Sequence, residues 1–183
     1  MQAYAPELDR RIRRRLKRTV GPWHVDETYI RVKGVWTYLY RAVDASGQTI
    51  DFLLSARRDM LSAKRFFEKA LQSPHNDFPA EIIVDRNPAY PSARITLKAE
   101  GHLGPEARLV MERWLNNRVE QDHRRIKRLV RPGLGFKAFR SASRTIQGDE
   151  AMSMIRKEQV SGVKRGDGKA ISDLVEELFG MAA

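Results

Sequence analysis

Three consecutive strand patterns, separated by tight turns, constrain the fold of this chain most strongly. Residues 23–33, 35–43 and 48–54 are rich in β-branched and aromatic side chains, and Gly34 and the Asp-Ala-Ser-Gly sequence at 44–47 separate them. Strands joined by such short turns must pair antiparallel, because a parallel connection needs a crossover of about a dozen residues or more. The sequence therefore predicts an antiparallel meander.

The hydrophobic period changes after the meander. Apolar residues at helical spacing cover residues 60–71, with Asp59 as the N-cap, and a short apolar run at 81–84 ends at Asp85. Further patterns predict a helix over 89–99, a strand over 108–111 and helices over 117–130 and 142–158. This order predicts an α/β fold of the ribonuclease-H-like kind, a mixed sheet of three antiparallel strands plus parallel strands, flanked by helices.

Positive charge is concentrated in two segments. The sequence holds 34 Lys and Arg residues against 23 Asp and Glu, a formal net charge of +11. Residues 1–22 contain seven basic and two acidic residues, and residues 113–140 contain nine basic and two acidic residues. Such segments favour binding to a nucleic acid over the alternative of a basic face that meets only solvent. The residues that we expect to contact DNA are Arg13, Arg14, Arg124, Arg125, Lys127, Arg128, Arg131 and Lys137.

The composition also excludes several classes of protein. The chain has no cysteine, which excludes a disulfide scaffold and a thiolate zinc site. No run approaches the roughly 18 apolar residues of a membrane span, and the basic N-terminal residues are not followed by the apolar core of a secretory signal. We therefore expect a cytoplasmic, nucleoid-associated protein with no membrane partner.

Three acidic residues occupy positions typical of functional groups. Asp26 lies within the first predicted strand, Asp85 directly follows the apolar run at 81–84, and Glu120 lies in the first turn of the helix predicted over 117–130. In open α/β sheets, functional groups gather beyond the carboxyl ends of the strands. Mg²⁺ prefers carboxylate oxygens, and two such ions about 3.5–4 Å apart can serve phosphodiester chemistry. Together the three carboxylates predict a site for divalent cations.

Each carboxylate also has a purely structural alternative. A cap for the turn that follows it would account for Asp85. A solvent-facing strand position would account for Asp26, since the adjacent Glu27 must point to the other side of the sheet. Glu120 forms the pattern of a capping box with Asn117. These alternatives compete with a functional role for each residue alone, whereas only a metal site gives one reason for all three.

The helix predicted over 117–130 carries a row of cations beside Glu120. Arg124, Lys127 and Arg131 follow Glu120 by four, seven and eleven residues and so share one side of the helix. Cations there would bind phosphates and set the register of a DNA strand at the carboxylates. The alternative is simple ion pairing between Glu120 and Arg124. A neighbouring apolar stripe that can pack on the sheet consists of Val119, Ile126 and Val130.

These segments resemble the catalytic core of bacterial and archaeal insertion-sequence transposases. The resemblance is to the insertion-sequence-six family, whose members form cointegrates, and it covers about residues 4–160. The segments that carry it are Trp23-His24-Val25-Asp26-Glu27-Thr28-Tyr29-Ile30, Lys33-Gly34, Trp36 to Asp44, Asp51-Phe52-Leu53-Leu54, Asn117 to Lys127, Arg131-Pro132 and Leu134-Gly135-Phe136-Lys137.

The resemblance implies a DDE-type transposase with a ribonuclease-H-like fold. The catalytic, metal-binding triad of the family falls on Asp26, Asp85 and Glu120, with 34 residues between the last two, and its basic residue seven positions after the glutamate falls on Lys127. The implied cofactor is a pair of Mg²⁺ ions, with Mn²⁺ as a substitute. The implied partners are transposon-end DNA, target DNA and further copies of the chain, as a homodimer or higher oligomer. The implied reaction is cleavage at the element's ends followed by attack of the freed 3′-hydroxyl on target DNA.

The resemblance also divides the chain into three parts. Residues 1–22, with a basic helix over 7–18, correspond to a remnant of the family's N-terminal helix-turn-helix, so we expect little preference for the element's ends over other DNA. Residues 23–160 correspond to the catalytic domain. Residues 161–183 form a linker and an amphipathic helix over 170–179, which packs either on its own core or on a partner subunit.

Two other functions stay open at this point. One is a catalytically idle DNA-binding remnant of a decayed element. The other is a ribonuclease-H-like nuclease that cleaves DNA without strand transfer.

Overall fold

A computed structural model describes residues 3–130 and 135–180, with the backbone alone at 113, 116, 117, 118, 120 and 121. It contains five strands, six α-helices and two short 3₁₀ turns within these ranges. In chain order they are α1 (Ala5–Ile12), a 3₁₀ turn (Arg13–Arg15), β1 (Trp23–Val32), β2 (Val35–Val43), β3 (Thr49–Ser55), α2 (Met60–Leu71), β4 (Glu81–Val84), α3 (Ala89–Ala99), β5 (Arg108–Met111), a second 3₁₀ turn (Arg113–Asn116), α4 (Asn117–Val130), α5 (Phe139–Arg156) and α6 (Gly168–Phe179).

The five strands form one mixed sheet in the order β3-β2-β1-β4-β5. The pairs β1–β2 and β2–β3 are antiparallel, while β1–β4 and β4–β5 are parallel. The short run Ile82-Ile83-Val84 is buried, as a parallel strand covered on both faces must be. The predicted fold class is confirmed, and α5 begins at Phe139, three residues before the predicted start.

The β1–β2 hairpin is longer than the strands on either side of it. β4 ends at Val84, and β3 ends at Ser55 opposite Tyr38, whereas the β1–β2 pairing continues to Val32 and Val35. Lys33 and Gly34 form the two-residue turn, and both have positive φ, 51° and 77°. This is the turn geometry that matches the twist of paired strands. The tip of the hairpin therefore projects beyond the sheet.

Helices cover both faces of the sheet. On one face, Phe66 and Phe67 of α2 and Tyr90 of α3 pack in a core with Trp23 and Val84. On the other face, α4 and α5 pack through the apolar side chains of Ile126, Ala142 and Ile146 on Ile30, Leu39 and Phe52. The side chain of Asp59 accepts a hydrogen bond from the backbone N–H of Ser62 and so caps α2, as predicted.

A further core joins the two ends of the described chain. Ile12 of α1, Met154 of α5 and Leu178 of α6 are buried together. The basic helix predicted over residues 7–18 is α1 followed by a 3₁₀ turn, and the helix predicted over 170–179 is α6. Within the described residues, α6 packs on its own chain through α1 and α5. None of the helices in the described ranges is long and apolar enough to cross a membrane.

Candidate active site

Asp26 and Asp85 meet where the parallel pairing of β1 and β4 ends. His24 pairs with Ile83, so the same register continued by two residues brings Asp26 beside Asp85 on one face of the sheet. One carboxylate oxygen from each of Asp26, Asp85 and the neighbouring Glu27 lies within 4.8 Å of the others. The side chains of Asp26 and Asp85 are 23% and 26% exposed, so solvent and ligands reach them.

The two oxygens of Asp85 have different surroundings. Its Oδ1 accepts a hydrogen bond of 3.0 Å from the backbone N–H of Asn87, which is the turn cap considered from the sequence. Its Oδ2 lies 3.3 Å from Nη2 of Arg58. The turn therefore holds one oxygen of the carboxylate, and Arg58 lies beside the other.

Glu27 belongs to the same cluster, which sequence reasoning did not predict. Alternation along β1 turns Glu27 away from Asp26. Glu27 pairs with Tyr40 of β2, but no strand lies beside it on the side of β4, because β4 has ended at Val84. Its side chain is only 1% exposed. It accepts hydrogen bonds from Tyr90 Oη at 2.6 Å and Asn87 Nδ2 at 2.6 Å. A buried carboxylate needs such donors. The weak sign of this role in the sequence was a second acidic residue directly after Asp26 on a mostly apolar strand.

Arg58 connects two of the carboxylates. Its Nε lies 3.0 Å from Oε1 of Glu27, and its Nη2 reaches Asp85. Neighbouring carboxylates repel one another, and a guanidinium between them balances their charge. Burial and the charge of Glu27 raise the pKa of Tyr90 well above its ordinary value, so the phenol keeps the proton that it donates to Glu27.

Helix α4 brings a histidine to Asp26. Nδ1 of His123 lies 3.7 Å from Oδ2 of Asp26, and His123 is 3% exposed. Burial lowers the pKa of His123 to about 3, so the imidazole is neutral at neutral pH. Position 120 precedes His123 by three residues and so shares its side of the helix. The Glu120 side chain itself, and its capping box with Asn117, lie outside what the structure describes.

Buried ion pairs fix α4 against the sheet and α5. Arg41 of β2 is fully buried, with Nη2 3.0 Å from Asp122 Oδ2 and Nε 2.9 Å from Glu150 Oε1. Lys157 Nζ approaches Asp122 to 2.5 Å, and Arg125 pairs with both Glu150 and Asp149. Each charge has an opposite partner, as buried charges require. The network holds the helix that carries position 120.

A cleft of about 1140 Å³ opens beside the carboxylates. Asp26, Glu27 and Asp85 lie on one side of it, and aromatic side chains of the β1–β2 hairpin, including Tyr29 and Trp36, lie on another. The cleft is open to solvent and polar near the carboxylates.

Comparison with known proteins places this chain in a family. Residues 20–159 match the family profile of the DDE domain of IS240-type transposases. The transposase of the insertion-sequence-like element IS431mec from Staphylococcus aureus is 35% identical over 158 residues, which cover 86% of this chain and 67% of that protein. The chain belongs to the insertion-sequence-six family of DDE transposases. The Staphylococcus aureus transposase of IS257 in transposon Tn4003 matches this transposase chain with the same identity and coverage.

Solved structures with the same fold are retroviral integrase cores. The HTLV-2 integrase catalytic core domain in complex with magnesium, in its dimeric form, has a TM-score of 0.54 at 17% identity, covering 81% of this transposase chain and 95% of the core. The simian T-cell lymphotropic virus intasome in complex with the PP2A subunit B56 gamma has a TM-score of 0.57 at 16% identity, covering 81% and 56% of the chains. These likenesses confirm the ribonuclease-H-like fold of the transposase chain.

The transposase presents only part of its predicted DNA-contacting set to solvent. Arg125 is engaged in the ion pairs with α5. Arg13, 12% exposed at its side chain, is held by Asp51 at 2.8 Å and Asp9 at 3.1 Å. These two arginines thus have structural partners, while Arg131 lies outside the described residues. The predicted residues that are exposed are Arg14, Arg124, Lys127, Arg128 and Lys137.

Proposed function

We propose that this chain cuts DNA strands at the ends of an insertion element and joins the freed 3′-hydroxyl to target DNA. The supporting observation is the nearness of the Asp26 and Asp85 carboxylates where β1 and β4 part, beside the helix that contains Glu120. In this proposal Glu120 of α4 adds a third carboxylate to those of Asp26 and Asp85, and carboxylates from different elements can hold the divalent cations that phosphodiester chemistry uses. Membership of the transposase family gives the reaction class.

Asp26, Asp85 and Glu120 would hold two Mg²⁺ ions, with Mn²⁺ as a substitute. The donors fit, because all are carboxylate oxygens, and those of Asp26 and Asp85 already lie within 4.8 Å of each other. Bound divalent cations would activate the attacking oxygen and stabilise the leaving one. The HTLV-2 integrase core of similar fold was solved in complex with magnesium, which supports this choice of metal.

Glu27, Arg58 and His123 are positioning residues in this proposal. The oxygens of Glu27 are taken by Tyr90, Asn87 and Arg58, so Glu27 orders the cleft rather than binding cations itself. Arg58 holds Asp85 by its Oδ2. His123, neutral and buried, packs against Asp26 without adding a charge that would compete with a cation.

The partner of this centre is DNA, bound through phosphates. Arg124, Lys127 and Arg128 are exposed on α4, the helix that borders the carboxylates. Phosphate contacts by such residues fix the position of a strand without reading its sequence. A homodimer or higher oligomer would bring two ends together, in line with the dimeric and trimeric forms of the HTLV-2 integrase core. Its place of action would be the cytoplasm, at the nucleoid.

Substitution of one carboxylate tests the proposal. Asp85→Asn should keep the fold but lose Mg²⁺-dependent cleavage and joining, because an amide cannot supply an anionic ligand. The measurement uses labelled duplexes that end in the inverted repeats flanking the gene, with Mg²⁺, with Mn²⁺ and with EDTA. Asp173→Asn, at an exposed position of α6, is the matched control and should keep full activity.

Three outcomes would contradict the proposal in distinguishable ways. Full activity of Asp85→Asn, or activity in EDTA, would reject the metal site. Cleavage without any joined product would indicate a nuclease rather than a transposase. Binding of DNA without cleavage by the unaltered chain would indicate a catalytically idle remnant.

A further inference from the structure

We propose that the aromatic wall of the cleft, formed by Tyr29, Trp36 and Trp114, is a stacking site for unpaired bases of the DNA strand whose backbone lies at the carboxylates. This inference rests on the proposed function, because it takes the cleft as the place where the strand enters. It adds a feature of the substrate, which is that the strand is locally unpaired when it is bound.

The first support is the exposure of large aromatic side chains in one cleft. Tyr29 is 57% exposed, Trp36 49% and Trp114 63%, although all three line the same cavity. The chain has three tryptophans, and the remaining one, Trp23, is buried in the core. Grouped aromatic surface left in water marks a binding site, since burying it would be favourable.

The second support is the register of the hairpin. Tyr29 pairs with Tyr38 and Arg31 pairs with Trp36, so these four side chains form a stripe on one face that continues from Glu27. β4 ends at Val84 and β3 ends at Ser55, opposite Tyr38, so neither strand extends beside Arg31 and Trp36 at the outer part of the stripe. The stripe leads from Glu27 toward the tip of the hairpin.

The third support is that the aromatic rings are already held in place. The rings of Tyr29 and Trp36 meet edge to face, with centroids 5.3 Å apart and an interplanar angle of 78°. The guanidinium of Arg31 lies over the Trp36 ring, 4.7 Å from its centroid. A side chain ordered before binding loses little conformational entropy when a ligand stacks on it.

The segment after α4 fixes the hairpin itself. The backbone N–H of Phe136 donates to the carbonyl oxygen of Arg31 at 2.8 Å, and the N–H of Lys33 donates to that of Phe136 at 2.7 Å. Gly135 makes this approach possible. It has a φ of 109°, and a Cβ there would lie 2.6 Å from the Arg31 carbonyl oxygen. These two backbone hydrogen bonds therefore hold the hairpin that carries Tyr29 and Trp36 against Phe136.

The chemistry of the cleft favours unpaired nucleotides over other occupants. Arg58 and Arg86 line it beside the carboxylates and can pair with phosphates, while the aromatic wall offers faces to bases. A paired duplex hides its base faces within the stack, whereas an unpaired strand exposes them. At about 1140 Å³ the cleft exceeds the roughly 300–1,000 Å³ of small-molecule pockets and can take more than one nucleotide.

Binding measurements without metal test this inference independently of cleavage. Three labelled DNAs of one sequence are titrated in EDTA: a fully paired duplex, the same duplex with three unpaired nucleotides at one end, and the single strand. Stacking of one base is worth roughly 5-fold to 150-fold in affinity. We expect the unpaired end to bind at least about tenfold more tightly than the paired duplex, and 2-aminopurine in the unpaired stretch to be quenched on binding.

Variants locate the effect on the aromatic wall. Trp36→Ala and, on a different element, Trp114→Ala should each reduce the preference for unpaired ends about tenfold or more, while affinity for the paired duplex stays unchanged. Trp36→Phe should keep most of the preference. Phe78→Ala is the matched control, because Phe78 is an exposed aromatic, 70% accessible, in the loop before β4. If Trp36→Ala and Trp114→Ala lose the preference to a similar degree, a folding defect in one variant does not explain the loss.

The outcomes separate this inference from the proposed function. Metal-dependent cleavage with equal affinity for paired and unpaired ends would overturn the stacking site alone. A preference for unpaired ends without any cleavage would support the stacking site and overturn the proposed reaction. A change in sedimentation of Trp36→Ala with unchanged DNA binding would assign the aromatic wall to contact between copies of the chain and reject the inference.

Discussion

At the scale of the residue, the carboxylate cluster depends on the hydrogen-bond donors around Glu27 and on the burial of His123. Glu27 is accommodated in a buried position because Arg58, Tyr90 and Asn87 donate hydrogen bonds to it. His123 is neutral because burial opposes its protonation. A second buried histidine, His75, lies in the loop between α2 and β4 and makes the stability of the chain depend on pH.

Stability should fall as the pH drops from 6.5 toward 4. His75 is 3% exposed, and burial, with the nearby charge of Arg13, lowers its pKa to about 4, while Asp51 acts in the opposite direction. In this window the unfolded chain binds a proton that the folded chain does not, so the free energy of unfolding decreases with falling pH. The slope from one such group approaches about 1.4 kcal/mol per pH unit.

Urea unfolding at pH 7 and pH 5 measures this dependence. His75→Gln cannot titrate, so its stability should change less between the two pH values than that of the unaltered chain. The remaining dependence includes His123, whose pKa is lowered to about 3. An equal change for both proteins would show that His75 does not contribute.

At the scale of the element, α4 shows what the sequence could predict and what it could not. The spacing of Val119 and Ile126 predicted the face that packs on the sheet, and both are fully buried. Hydrophobic periods of two residues for strands and 3.6 for helices depend only on neighbouring residues, so they predicted the order of strands and helices. Arg125 was expected to contact DNA, yet its partners Asp149 and Glu150 lie on another helix.

Contacts between residues distant in sequence explain what was missed at the site. Arg58 and Tyr90 were not predicted, because each meets Glu27 only after the helices fold onto the sheet. Asp85 was singled out because the end of a buried strand is visible in the sequence itself, and Asp26 because it is an acidic residue within the first strand. The apolar run predicted a strand but not its register, and it is the register of β1 and β4 that brings the two carboxylates together.

Removing the central cation of the α4 network should destabilise the chain strongly. Arg41→Met leaves Asp122 and Glu150 with less compensation in a buried place, which costs about 3–5 kcal/mol for a broken buried pair. Chemical unfolding at pH 7 measures the loss. Arg140→Met, at an exposed position of α5, is the control and should change stability by less than about 0.5 kcal/mol. Equal stability of the two variants would show that the network does not hold α4.

At the scale of the whole molecule, the net charge is +11, but the basic residues behind it fall into two groups. Some form ion pairs inside the protein, and others are exposed to solvent. Arg13, Arg41 and Arg125 neutralise buried or half-buried carboxylates. Other cations, such as Arg124 and Lys127, are exposed. A count of basic residues in the sequence therefore overstates the charge available to a DNA partner.

The salt dependence of DNA binding should report the exposed cations of α4. Replacing Arg124, Lys127 and Arg128 together by Ala should lower the slope of log K against log salt by about 0.9 for each phosphate that is no longer neutralised, up to about 2.7 on duplex DNA. Fluorescence anisotropy of labelled DNA measures the affinity between about 50 and 200 mM salt, a range in which binding through phosphate contacts weakens steeply. The matched control replaces three other exposed cations, Lys164 and Arg165 between α5 and α6 and Lys169 in the first turn of α6. An unchanged slope in the α4 variant would show that this helix does not face DNA.

The packing of α1 on α6 has a mechanical consequence. The rings of Tyr4 and Phe179 are 6.0 Å apart, so a tether attached at either end of the described chain would leave from nearly the same point. A pulling force applied between these points would first load the contacts that α1 and α6 make with each other and with α5, because the two ends of the described chain lie at these helices.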